Sequence, residues 1–248
     1  MAEQGLVGSR AVVERNYALL PPEGIPESVL PEWTDAAARV LAAPALGARF
    51  AQYLIALAAG GGTQQGLAPH VESFVYVLDG NVAFDLNGLG HRLGPGGFAY
   101  LTPGSRFGIQ ATAAARLLWL KKAYEPFGTK RPHEVIGNEQ GVAGEAYLGM
   151  PALVLKTLLP ADPAYDLAMN IFTFQPGASL PVTETHVMEH GLYFLEGQGV
   201  YRLGDRWREV RAGDFIWMGP YCPQSFYATG ATPARYLYYK NVHRDVEV

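Results

Sequence analysis

Leu192-Tyr-Phe-Leu195 runs into Glu196-Gly197-Gln198-Gly199, then Val200-Tyr-Arg-Leu203, Gly204-Asp205, Trp207 to Val210, Ala212-Gly213-Asp214 and Phe215-Ile-Trp-Met218. Short apolar and aromatic runs, broken every few positions by Gly or Asp, are the pattern of short strands joined by tight turns. Working outward, the same pattern returns in Phe74-Val-Tyr-Val-Leu78 before Asp79-Gly80. The 29 Gly and 18 Pro are spread along the chain rather than gathered in one linker. This spacing predicts an all-β fold of barrel or sandwich type. A few short helices are expected, over Thr34 to Leu46, where Thr34 or Asp35 can cap an Ala-rich turn, and near Pro132 to Gln140.

Composition narrows the function classes. Of 248 residues, 49% are hydrophobic and 17% charged, enough to bury a core and too apolar for a disordered chain. With 19 Lys+Arg against 23 Asp+Glu the net charge is −4, and there is no basic block, so no nucleic-acid partner is expected. Cys222 is the sole cysteine, which excludes an intramolecular disulfide framework and a Cys-based zinc site. No apolar run has the length of a membrane helix, and the first ten residues do not read as a secretory leader. The expectation is a soluble, cytoplasmic protein with no membrane partner.

The chain also repeats itself. Gly60 and Gly177 are 117 residues apart, as are Gly80 and Gly197; Gly97 and Gly213 are 116 apart; Leu118-Trp-Leu-Lys121 and Leu237-Tyr-Tyr-Lys240 are 119 apart. A nearly constant offset with loop-sized drift is the mark of a duplicated domain. Two tandem β domains are expected, 1–135 and 136–248, meeting around residues 125–150.

The second copy contains Glu184-Thr-His-Val-Met-Glu-His190. Glu184, His186 and His190 stand at i, i+2 and i+6, so on a continuous or locally bent strand they face one side. Two imidazoles and a carboxylate converging inside a barrel suit a metal ion. The alternative is an exposed charged strand end, against which stand the flanking Pro181-Val182 and Gly191-Leu-Tyr-Phe-Leu195. Glu189 has the opposite parity and is left out. At the 117 offset the first copy has Leu67, Pro69 and Ser73 at these positions, so no ligand set survives there and that half reads as scaffold.

Gly177, then Glu184-x-His186-x3-His190-x6-Gly197, resembles the first cupin motif, and Gly213-x5-Gly219-x-Tyr221-x2-Gln224 resembles the second. Glu184 stands for the usual first His, His190 for the Glu and Gln224 for the last His. That set, in a bicupin with a silent first half, is similar to the (S)-ureidoglycine aminohydrolases of allantoin degradation. The likeness runs from Ser9-Arg-Ala-Val-Val to Arg244-Asp-Val-Glu-Val and includes Ala45-Leu-Gly-Ala-Arg-Phe50, Gly62-Thr-Gln-Gln-Gly66 and Gln175-Pro-Gly-Ala-Ser179. The fold it implies is two tandem jelly-roll cupin barrels.

The resemblance implies Mn²⁺ held by Glu184, His186, His190 and Gln224, and two oxygen donors with two imidazoles suit that ion, with Fe²⁺, Co²⁺ or Ni²⁺ as substitutes in vitro. It also marks Tyr201, Tyr236 and Lys240, with the ligands Glu184 and Gln224, as substrate residues, and Lys240, the tyrosines and Glu184 as candidate proton carriers. Tyr236 and Lys240 have equal parity on the last strand; Lys240 reads either as a site residue or as a solvated strand end. The implied reaction replaces the amino group of (S)-ureidoglycine by hydroxyl, giving (S)-ureidoglycolate and ammonia in purine breakdown. A homo-oligomer is implied as well. Two other classes stand beside this: another metal-dependent cupin enzyme, such as an oxygenase or isomerase of a small acid, and a non-catalytic ligand-binding bicupin.

Cys222, within the second motif, reads as a packing residue, and Trp119, Trp207 and Trp217 as core or domain-interface residues. His70, His91, His133 and His243 lack partners at ligand spacing. Asp205-Arg206 beside Gly204 reads as a turn. Arg10 stands either over the site or on the surface.

Overall fold

In the computed structural model, residues 9–243 and 245 are described; the Met1–Gly8 start, Arg244 and the last three residues, quoted above, lie outside them. The first eleven strands are β1 (Val12–Val13), β2 (Tyr17–Leu20), β3 (Trp33–Ala42), β4 (Phe50–Gly66), β5 (Val71–Asp79), β6 (Val82–Leu86), β7 (Leu89–Leu93), β8 (Gly97–Leu101), β9 (Arg106–Ala111), β10 (Ala115–Ala123) and β11 (Val135–Asn138). The rest are β12 (Glu145–Tyr147), β13 (Met150–Thr157), β14 (Leu167–Phe174), β15 (His190–Glu196), β16 (Gln198–Leu203), β17 (Arg206–Arg211), β18 (Phe215–Met218), β19 (Gln224–Ala228) and β20 (Ala234–Asn241). The fold is all-β, as expected. No helix among the described residues is long and apolar enough to cross a membrane.

The expected helices are absent. Thr34 to Leu46 is mostly strand β3, ending in a three-residue 3-10 turn at Pro44–Leu46, and Pro132 to Gln140 holds β11 followed by a 3-10 turn. Alanine favours helix by only tenths of a kcal/mol per residue. Pairing along β4, with Ala36 opposite Leu57 and Ala38 opposite Ile55, outweighs that preference.

Two compact units result. One comprises Pro26–Ala143 and Leu158–Asp166; the other comprises residues up to Ile25, Gly144–Thr157 and Leu167 onward. Neither unit is therefore one continuous stretch of chain, whereas the expected division, 1–135 and 136–248, follows the chain. The first unit is built on a nine-stranded sheet, ordered β11-β8-β5-β10-β4-β9-β6-β7 with β3 on β4. Its interior is packed with Trp33, Trp119, Phe84 and Phe107, all nearly inaccessible. The second unit joins an eight-stranded sheet, β1-β2-β18-β15-β20-β14-β13-β12, to the three-stranded β17-β16-β19.

The repeat is visible in the register. Ser73 on β5 pairs with Lys121 on β10 and Leu101 on β8; His190 on β15 pairs with Lys240 on β20 and Met218 on β18. The repeated glycines are required by the backbone. Gly80 and Gly197 have φ of 78° and 74°, and a Cβ would lie 2.6 Å from Ala115 Cα in one copy and 2.7 Å from Ala234 Cα in the other.

Buried charge holds the 158–166 return to its own unit. Lys122 Nζ donates to Asp166 Oδ2 at 2.5 Å, to Glu72 Oε1 at 3.1 Å and to the Ala123 carbonyl at 2.7 Å, while Tyr100 donates to Glu72 Oε2 at 2.6 Å. Burial holds Glu72 well above the usual carboxylate range, and its contact with Asp166 pushes the same way, while against burial Glu72 and the Lys122 charge hold Asp166 below it. Lys122→Met leaves these acids without their cation, and a buried pair broken this way costs about 3–5 kcal/mol. The expected outcome in urea unfolding is a loss of that order at pH 8. The loss becomes smaller at pH 5, because the variant's carboxyls have higher folded pKa values and regain stability by binding protons as pH falls. A pH-independent loss would contradict the assignment.

Candidate active site

A cavity of about 280 Å³ opens inside the second unit, lined by Glu184, His186, His190, Tyr201, Gln224, Tyr236, Tyr238, Lys240 and Tyr147, with Leu155, Phe172, Leu180, Leu192 and Met218 as apolar wall. Every residue singled out from the sequence for the site meets here. Glu184 is held to Gln224 by reciprocal backbone hydrogen bonds of 2.8 and 2.9 Å. His186 follows in a loop, its carbonyl accepting from Tyr221 N at 2.8 Å, and His190 opens β15 between β18 and β20. The segment from Thr185 to Glu189 is therefore not a strand; the common face that parity suggested arises instead from the Glu184 bridge and the start of β15. Glu189 points away, buried against Trp217 Nε1.

The two imidazoles are fixed by backbone carbonyls. His186 Nδ1 lies 3.0 Å from Met188 O, and His190 Nδ1 lies 3.0 Å from Tyr239 O. A carbonyl only accepts, so in each neutral ring Nδ1 carries the proton and Nε2 keeps its lone pair. Those two Nε2 atoms face each other at 3.2 Å. Burial pushes His190 down to about 3 and also lowers His186, so neither ring supplies a proton to relieve the opposition near neutral pH. Two lone pairs at this distance want a cation; nitrogens bound at about 2.1 Å to one ion stand about 3 Å apart when adjacent. Gln224 Nε2 lies 3.2 Å from His186 Nε2, and its Oε1 accepts from Tyr201 at 3.2 Å. Among the described residues no three His, Cys, Asp or Glu side chains form an ion site by themselves, and the Gln224 amide is the further polar group beside the imidazoles. The donors present fit a divalent cation.

Around this set, Tyr236 donates to the Tyr201 hydroxyl, forming a chain from Tyr236 through Tyr201 to Gln224. Burial raises both phenols, which keeps them protonated donors. The Lys240 ammonium makes no hydrogen bond or ion pair with a described residue, and burial lowers its pKa against the opposing pull of Glu184. It lines the cavity and is not a solvated strand end.

Two cavity residues escaped the sequence reading. Tyr238 has the same parity as Tyr236 and Lys240 and was legible on that ground; its oxygen accepts from Asn170. Tyr147, whose hydroxyl donates to Glu184 Oε1 at 2.9 Å, comes from a short edge strand with no spacing signal. Elsewhere, Cys222 is buried in the core, the Gly204-Asp205 turn joins β16 to β17, and Arg10 forms a two-pronged pair with the buried Asp214 at 2.6 and 2.8 Å, away from the cavity. Trp119 and Trp217 are buried, but Trp207 is 54% exposed, which corrects its reading as a core residue. None of His70, His91, His133 and His243 lines the cavity.

In the first unit the equivalent space is filled. Trp119, which matches Tyr238 in the repeat, donates through Nε1 to Ser73 Oγ at 2.8 Å, and Ser73 donates to Leu120 O at 2.7 Å. Lys121, the counterpart of Lys240, sits 4.8 Å above the Trp119 ring.

Comparison with known proteins fits this division. A cupin domain family matches residues 170–239. The chain is similar to an (S)-ureidoglycine aminohydrolase of Escherichia coli K12, 39% identical over 99% of this chain and 96% of that protein. It is also similar to one of Arabidopsis thaliana, 37% identical over 96% of this chain and 79% of that protein. The crystal structure of protein Ylba from E. coli superposes over the whole of both chains with a TM-score of 0.88 and 36% identity.

The buried imidazole gives a stability test without any ion. Between about pH 3 and 6.5 the unfolded chain binds one proton at His190 that the folded chain refuses, so stability falls as pH drops through this window. In chelator-treated protein, His190→Asn is expected to reduce the pH slope of unfolding free energy by up to about 1.4 kcal/mol per pH unit. Parallel slopes for the two proteins would contradict the depressed titration.

Proposed function

Because the chain belongs to the (S)-ureidoglycine aminohydrolase family of hydrolases, we propose that it converts (S)-ureidoglycine and water to (S)-ureidoglycolate and ammonia in allantoin and purine degradation, with a Mn²⁺ ion at Glu184, His186, His190 and Gln224. The observation that carries the ion is the pair of Nε2 lone pairs held face to face at 3.2 Å. Gln224 would present its carbonyl oxygen by turning its amide, leaving the NH₂ to Tyr201, whose hydroxyl oxygen can accept as well as donate. Two nitrogen and two oxygen donors without thiolate favour Mn²⁺, and Fe²⁺, Co²⁺ or Ni²⁺ would also fit. When bound, such an ion supplies Lewis-acid polarisation and a fixed point for a small chelating acid.

The chain's own groups do the rest. Lys240, a cation without an ion pair to a described residue, is suited to the substrate carboxylate or to carrying the proton that leaves with ammonia, and burial lowers its pKa. Tyr201 and Tyr236 are held protonated by burial and serve as hydroxyls that orient Gln224 and the ureido group, not as bases. The wall of Leu155, Phe172, Leu180, Leu192 and Met218 limits water around a small flexible substrate; fixing such a substrate in one orientation is worth up to roughly 7–11 kcal/mol in favourable cases. We take the protein to be cytoplasmic and to act as a homo-oligomer, for which the exposed edge strand β7, with Leu89 68% exposed, offers a pairing edge.

The test is ammonia release from ureidoglycine made in situ from allantoate by an auxiliary amidohydrolase, with product chirality followed by circular dichroism. Metal-free protein is expected to be inactive, added Mn²⁺ to restore release with one product enantiomer, and Glu184→Ala to abolish it. Lys240→Met should lower kcat by about 10²–10⁴-fold, the range of a lost proton-transfer group. Release at the spontaneous rate from verified Mn²⁺-loaded protein would refute the reading.

A further inference from the structure

Each member of the proposed ion-binding set has one holder outside the set: Met188 O for His186, Tyr239 O for His190, Tyr201 for Gln224 and Tyr147 for Glu184. The first three belong to the loop and strands that build the barrel interior. The fourth comes from β12, the outermost strand of its sheet. Glu184 has a backbone clamped to Gln224, and among the described residues only Tyr147 hydrogen-bonds its carboxylate.

The delivery of Tyr147 is specific. It is the last residue of β12 and pairs with Met150 on β13, the two joined by Leu148 and Gly149. Both turn residues are left-handed, with φ of 50° and 75°. Glycine adopts that conformation freely, whereas a leucine does so only when the surroundings impose it. Leu148 is 70% exposed, so burial of its side chain is not the compensation; positive φ at both positions is the pattern of a type I′ hairpin turn, which ends β12 at Tyr147. The Tyr147 ring then packs edge-on against Phe172 at 4.9 Å, leaving the hydroxyl 2.9 Å from Glu184 Oε1.

We infer that Tyr147 is a positioning residue, delivered by the β12–β13 hairpin, whose hydroxyl holds the Glu184 carboxylate in the orientation that the divalent-cation set requires. The inference rests on the reading of Glu184 as a cation ligand given above. A hydroxyl that orients a ligating carboxylate acts on affinity through the ligand, and removing such a partner costs about 10–100-fold in metal affinity.

Tyr147→Phe keeps the ring against Phe172 and removes only the hydroxyl. Manganese affinity is measured on metal-free wild type and variant by the electron paramagnetic resonance signal of unbound Mn²⁺. The visible bands of the Co²⁺-loaded forms report the ligand environment independently of turnover, and the Tm of the metal-free forms reports folding. The expected result is a roughly 10–100-fold weaker Mn²⁺ affinity with shifted Co²⁺ bands and an unchanged metal-free Tm. Unchanged affinity and superimposable bands would overturn the inference whatever the Tm. If the wild type itself binds no divalent ion, the cation reading fails and this inference with it; binding by wild type with an indifferent variant overturns the role of Tyr147 alone.

Discussion

The pairing of β15 with β20, with His190 opposite Lys240, is the constraint on which the site depends. β20 lies between β15 and β14, so its register is fixed from both edges. One alternation then sends Tyr236, Tyr238 and Lys240 into the cavity, and the intervening Tyr239 supplies the carbonyl that sets the His190 tautomer. A slip of one residue would turn all three side chains outward and take that carbonyl away. Ligand orientation and substrate contacts thus depend on the same ladder of backbone hydrogen bonds.

The two barrels share a frame and differ in what fills it. Ser73 and His190 occupy the same place in register, as do Trp119 and Tyr238, and Leu117 and Tyr236. In the first unit an indole closes on a serine hydroxyl and a lysine packs over the indole. In the second, Tyr238 stands where the larger indole stood, and the space is bounded by two imidazoles whose unprotonated Nε2 atoms face each other. A cavity costs packing energy, since each missing contact is lost outright. One copy of the duplicated barrel carries that cost while the other is packed with aromatic side chains.

Much of this was legible from the residues. The turn glycines and aromatic runs marked the strands because short β elements leave a short-range signature, and the offset of the repeat revealed the second barrel. Parity placed Glu184, His186 and His190 on one face, though through a bridge and a loop instead of a strand. The Ala-rich segment at Thr34 read as helix because propensity is local, whereas the decision was made by β4, which lies beyond any short window. Tyr238 obeyed the parity rule applied to its neighbours. Tyr147 could not be found that way: its place depends on a strained two-residue turn and an edge strand, neither of which leaves a periodic trace.

The most direct test of one working barrel and one packed barrel is an anomalous difference map from crystals of the Mn²⁺-loaded protein, recorded at the manganese absorption edge. One peak per chain is expected, among Glu184, His186, His190 and Gln224, and none beside Ser73 in the first unit. A loaded protein whose manganese lies anywhere else, or in both barrels, would contradict it.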